Sequence, residues 1–171
     1  MLTEQWSAAV GAFDRIIIKN DDVRLRQRLC RNLASLQTHR KDIYRTLIDA
    51  EPGDQYRLVP SRTGAVTILA KVGDREVKMS ADNDPHGAVS AVMRGIDNEW
   101  KNGVPLGLAS IGDGYLLRHL AHHPPQLFLD KQHAIVLMES DPRLVLACLA
   151  IHDYTGPDGP IEQQRIRWYI G

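Results

Sequence analysis

Gly112, Gly114 and Glu139 are the residues of this chain whose types and spacing could do chemistry. Gly112-Asp113-Gly114 follows an apolar run, Pro105-Leu106-Gly107-Leu108-Ala109, and precedes a helical pattern that opens on Tyr115. At such a turn the backbone can approach a ligand closely. The helix start adds free N–H groups and the positive end of its dipole. A second apolar run, Ala134-Ile135-Val136-Leu137-Met138, ends in Glu139, where a carboxylate can accept hydrogen bonds from ribose hydroxyls. The interval between turn and acid is compatible with the ~20 residues of dinucleotide-binding units. The candidate cofactor-binding set is therefore Ser110, Gly112, Asp113, Gly114, Tyr115, Glu139 and Asp141. Asp113 bears on the choice of ligand. A carboxylate beside the amides repels a pyrophosphate but tolerates the sulfonium and amine of S-adenosylmethionine. Against this stands a plainer reading, in which the glycines only permit a tight turn. Glu139 is then a solvated carboxylate at a helix start, capped by Ser140 or Asp141.

Other reactive side chains support less. His119, His122, His123 and His133 cluster, and His119 and His123 stand one helical turn apart. No cysteine or general-base glutamate accompanies them, and histidines at a helix end interact favourably with its dipole, so no metal site is expected. Arg15, Lys19, Arg24, Arg26, Arg28, Arg31, Arg40 and Lys41 make the first half basic. The arginines spread around a helix without interleaved exposed aromatics, which favours a solvated face over nucleic-acid binding. Trp100 and Trp168 read as packing residues. No Ser-His-Asp set, nucleophile elbow, Walker loop or pair of catalytic carboxylates is present, so catalytic residues stay unassigned.

The elements around these residues are legible from periodicity. From Met1 to about Ala50 the chain reads as helical throughout, with Trp6, Ala9, Val10, Phe13, Ile16 and Ile17 forming one stripe. Asn20-Asp21-Asp22 breaks it and caps a second helix carrying Leu25, Leu29, Leu33 and Leu36; a third carries Ile43, Leu47 and Ile48. The period then changes. Tyr56–Pro60, Val66–Val72 and Arg75–Met79 read as a three-stranded antiparallel meander, with Val72-Gly73-Asp74-Arg75 as a tight hairpin. A helix from Pro85 to Lys101 is capped by Asp82-Asn83-Asp84 and closed by Asn102-Gly103. Strand Pro105–Ser110, helix Gly114–His122, strand Ala134–Met138, helix Pro142–Ile151 and strand Arg165–Ile170 complete the chain. That alternation implies a parallel sheet in the order 3-2-1, with the first two strands central. The expected class is α/β with an α+β N-terminal part, in three segments: helical 1–52, meander plus helix 53–104, and a Rossmann-like half-domain 105–171.

Bulk properties fit one ordinary domain. The chain is 43% hydrophobic and 25% charged, and 21 basic residues balance 21 acidic ones, so no global charge draws it to nucleic acid. Cys30 and Cys148 fall in helical patterns and read as reduced, buried thiols. No apolar run reaches the ~18 residues of a membrane span, and no signal-peptide pattern opens the chain, so the expected location is cytoplasmic.

Several segments together resemble the motility accessory factor glycosyltransferases, which share a Rossmann-like domain with hydroxymethylpterin pyrophosphokinase-like proteins. Arg31-Asn32-Leu33-Ala34-Ser35-Leu36 is similar to that family's leading N-L-x-x-L helix. Ser80-Ala81-Asp82-Asn83-Asp84-Pro85 resembles its S-x-Y-D-P step, with Asn83 in place of the tyrosine. Ser110-Ile111-Gly112-Asp113-Gly114-Tyr115 resembles its G-x-G-x-G-Y turn, with Ser110 for the first glycine, and Glu139-Ser140-Asp141-Pro142 resembles its acidic strand end. The resemblance implies the N-terminal module of a bacterial protein that attaches sugars to flagellin, with the catalytic part downstream and a nucleotide sugar as donor. Two other readings are open. One is a methyltransferase-like domain holding S-adenosylmethionine through Gly112, Gly114 and Glu139. The other is a non-catalytic interaction domain that dimerises, as a homo-oligomer, or docks on a missing C-terminal domain through a sheet edge.

Overall fold

The computed structural model describes Ser7, Gly11, residues 16–17, 23–125 and 133–171. Its elements are β1 (Ile16–Ile17), α1 (Val23–His39), α2 (Lys41–Ile48), β2 (Gly53–Pro60), β3 (Val66–Val72), β4 (Arg75–Lys78), a 3-10 turn (Ala81–Asn83) and α3 (Pro85–Lys101). They continue with β5 (Leu106–Leu108), α4 (Tyr115–His122), β6 (Ile135–Glu139), α5 (Pro142–Ile151) and β7 (Ile166–Ile170). The result is a mixed α/β architecture with two separate sheets.

The first sheet has the order β1-β2-β3-β4. β2, β3 and β4 form the expected antiparallel meander, with Val72 paired to Arg75 across the hairpin. Gly73 has φ +60°, the positive value that a two-residue hairpin loop needs at its first central position. The fourth strand corrects the sequence reading. Ile16 and Ile17 are not part of a helical stripe but pair in parallel with Gly53 and Arg57 of β2. Two adjacent β-branched residues suit a strand, and pairing here occupies what would be the meander's open edge. The rest of that stripe and the Asn20-Asp21-Asp22 cap lie outside the described residues.

The second sheet is parallel, in the order β5-β6-β7. This is the linear order expected, but β5 is an edge strand rather than a central one, since among the described residues it pairs only with β6. Consecutive right-handed crossovers in one direction put both linking helices on the same face. The burial pattern agrees. Ile135, Leu137, Ile166 and Trp168 point into the core, whereas Met138 and its register partner Tyr169 point the other way and are 48% and 57% exposed.

One hydrophobic core joins the three sequence segments, from Leu25 in α1 through Leu58 in β2 to Trp168 in β7. At its centre is α5, in which every residue from Leu144 to Ile151 is buried. A helix apolar on all sides must be covered on all sides. α1, α2 and the first sheet pack around it, and its side chains share one core cluster with those of the parallel sheet. Its start is fixed by Asp141, which accepts from Arg143 N, with Pro142 in the first turn. Its end is fixed from α1. Fully buried Asn32 donates through Nδ2 to the carbonyls of Leu149 (2.7 Å) and His152 (2.6 Å), and its Oδ1 accepts from Tyr154 N at 2.8 Å. Carbonyls at the end of a buried helix, which have no partner within it, are thus satisfied by side chains of α1, with Arg28 taking those of Ala150 and Ile151.

Candidate functional site

The expected binding residues lie where β5, β6 and their following turns meet. Glu139, only 7% exposed, ends β6 with its side chain turned toward the β5–α4 turn. Its Oε2 accepts from Ser110 Oγ at 2.6 Å and from Ile111 N at 3.1 Å, and its Oε1 accepts from Asp141 N at 3.0 Å. Ser110, Glu139 and Asp141 therefore form one cluster that ties the two turns together. A charged acceptor makes these bonds stronger than neutral ones.

The turn itself is held from every side. Gly114 N donates to Ile111 O, and Gly112 N to Ser110 Oγ. The carbonyls of Gly112, Asp113 and Gly114 accept from Cys148 Sγ (3.3 Å), His152 Nε2 (2.8 Å) and Tyr154 Oη (2.8 Å). The Asp113 carboxylate turns toward the meander, where it accepts from Ser80 Oγ; Thr67 Oγ1 lies 2.8 Å from Ser80 Oγ and 3.3 Å from the carboxylate, and its one proton serves one of the two. Tyr115 anchors the start of α4 by donating to Val66 O at 2.8 Å. The two glycines differ in their surroundings. A Cβ at Gly114, whose φ is +81°, would come within 2.7 Å of His152 Cδ2 and closer still to the Tyr154 hydroxyl. Gly112, at φ +59°, faces open space. Of the two glycines, Gly112 is the one with open space at its Cβ position.

Electrostatics follow from this packing. His152 is pushed down to about 3 by burial, so it is neutral. Because a carbonyl can only accept, its proton sits on Nε2, facing Asp113 O. Burial, aided by the charges of Asp113 and Glu139, raises the Cys148 thiol well above its ordinary value, so it is an inert donor rather than a nucleophile. Tyr56 donates to Asp141 Oδ2 at 3.1 Å and is raised to about 12, first by burial and then by that carboxylate. Burial works against the Asp141 charge, but hydrogen bonds and charge from Arg143 hold its carboxyl below the usual value.

Thr67, Ser80, His152 and Tyr154 join the site from other segments, and sequence reasoning missed all four. Arg28 of α1 and Arg40, between α1 and α2, are placed too. Arg28 Nη1 donates to Ala150 O at 3.2 Å and to Ile151 O, and Arg40 donates to the carbonyls of Ile161, Gln163 and Ile166 at 2.7 to 2.9 Å. They are fasteners of the core. Cys30 and Cys148 are not joined in a disulfide. Trp100 and Trp168 are buried, and the Trp168 indole donates to Pro160 O. Among the described residues no group of three or more His, Cys, Asp or Glu side chains is arranged to hold a metal ion. No helix among them is long and apolar enough to cross a membrane.

Fold and site together define a mixed α/β protein with a three-stranded parallel sheet, whose glycine turn and acidic strand end are bonded to each other. No protein-family model, curated protein or solved structure matches the chain.

Proposed function

We propose that the chain is the N-terminal module of a glycosyltransferase of the motility accessory type, which orients a larger Rossmann-like domain. Its role is binding and positioning, and the catalytic groups belong to the domain's other half. The observation that carries this reading is the face of the parallel sheet that is bare among the described residues at Met138 and Tyr169. All-parallel sheets are as a rule covered on both faces. In the doubly wound arrangement the second set of strands adds beside the first strand, here the edge of β5 that has no partner strand among the described residues, and its helices cover the opposite face. Edge and face are therefore the two surfaces such a half would cover. The engaged state of the turn fits the same reading, because the N–H groups of Ile111, Gly112 and Gly114 already have acceptors.

The test is the intact mass of flagellin from the host. Deletion of the gene is expected to remove the mass of the attached sugar. Met138→Asp with Tyr169→Asp, placed on the exposed face, is expected to do the same without lowering the melting temperature of the isolated chain. Flagellin of unchanged mass after deletion would overturn the glycosyltransferase reading.

A further inference from the structure

A groove of about 760 Å³ lies beside the turn, between α3 and α4. That volume is in the range of small-molecule sites, ~300–1,000 Å³. Its charges are unbalanced. Arg94 lines it from α3 and Arg118 from α4, and neither side chain has an ion pair or hydrogen bond among the described residues. Asp97, the one acidic lining residue among the described residues, is already paired with Lys101 at 2.7 Å. Among the described residues, two guanidinium groups thus line a concave space with no unpaired carboxylate beside them. The planar fork of arginine matches the oxygens of a phosphate.

Histidines and apolar groups complete the lining. His119 and His123 stack with centroids 4.4 Å apart and planes inclined by 21°. His123 Nδ1 lies 3.0 Å from His119 O, which can only accept, so that nitrogen carries a proton and Nε2 is left free. On the opposite wall Val89 and Met93 offer apolar surface, and the Tyr115 ring meets His86 edge-on at 5.1 Å. One part of the groove suits an anion and the other a flat or apolar group.

We propose that the α3–α4 groove binds an organic diphosphate, with the phosphates between Arg94 and Arg118 and the organic portion against Val89, Met93 and Tyr115. This inference stands apart from the glycosyltransferase reading, since neither arginine belongs to the bare sheet face or to the Glu139 cluster.

Titration calorimetry of the whole chain at low ionic strength tests it, with adenosine diphosphate, inorganic pyrophosphate and adenosine as probes. Adenosine diphosphate is expected to bind, and adenosine to bind at least tenfold more weakly. Arg94→Gln and Arg118→Gln are each expected to weaken adenosine diphosphate at least tenfold. Both side chains are exposed, so the melting temperature is expected to stay unchanged. Absence of heat with both phosphate compounds overturns the proposal. So does adenosine binding as tightly as the diphosphate, or diphosphate binding that survives both substitutions.

Discussion

Glu139 at the end of β6 accepts the hydroxyl of Ser110 at 2.6 Å, and so locks the glycine turn to the next strand of the parallel sheet. The same carboxylate takes two backbone N–H groups, from Ile111 and Asp141. Removing it strands buried donors, each costing about 1–3 kcal/mol. Glu139→Ala is expected to lower stability by about 3 kcal/mol in urea unfolding at neutral pH. Glu139→Gln keeps one acceptor oxygen and is expected to cost less, and Ser110→Ala, at an exposed position, least of all. Equal losses for the three would remove the carboxylate from the centre of the cluster.

The two glycines of the turn are expected to respond differently to alanine. At Gly112 the only penalty is the left-handed backbone, about 1–2 kcal/mol, because the space around it is open. At Gly114 the same penalty is joined by collision with His152 and Tyr154, both buried. Gly114→Ala is expected to lose well over 3 kcal/mol or to fail to fold. Melting curves of the two variants check this. Similar curves would contradict the tight packing of Tyr154 over the turn.

His152 gives the fold a pH dependence with a definite sign. Unfolded, the imidazole has its ordinary value of 6.5; folded, burial holds it down to about 3. As pH falls below about 6.5 the unfolded chain gains a proton that the folded chain refuses until about pH 3. Stability from this group is therefore complete above pH 6.5 and lost as pH falls toward 3, by up to about 1.4 kcal/mol per pH unit. His119, His122 and His133 are shifted down as well, mainly by burial, so they act in the same direction. The readout is the difference between the parent chain and His152→Gln in urea unfolding across pH 7 to 4. The variant is expected to be less stable at pH 7 but to lose stability less steeply. Equal slopes would contradict a buried neutral His152.

Much of this fold is written in local signals, and the exceptions share one cause. The Asp141-Pro142 cap and the apolar run after it fix α5, and Val72-Gly73-Asp74-Arg75 fixes the hairpin, because both depend on neighbouring residues alone. Ile16 and Ile17 repeat at spacings a helix would also allow, and only pairing with distant β2 makes them a strand. Ser110 and Glu139 are visible in sequence because Glu139 ends β6 and Ser110 follows β5 by two residues, at the same end of one sheet. Thr67, Ser80, His152 and Tyr154 are not, because their roles arise when other segments fold over the turn. Asn32 resembles a family position by type, yet its work as the cap of α5 appears only when α1 packs on that helix. The α3 side of the groove did leave a trace. His86, Val89, Ser90, Met93, Arg94 and Asp97 recur every three or four residues along one helix face.

Solvent access to the bare sheet face tests the central claim most directly. With Cys30 replaced by serine and Cys148 buried, a cysteine at position 138 or 169 is the reactive thiol among the described residues. Met138→Cys and Tyr169→Cys are each expected to react quickly with a maleimide in the isolated chain. They are expected to be protected at least tenfold in the protein as it occurs in its host. Equal reactivity in both settings would mean that nothing covers this face, and would contradict a module that completes a larger α/β domain.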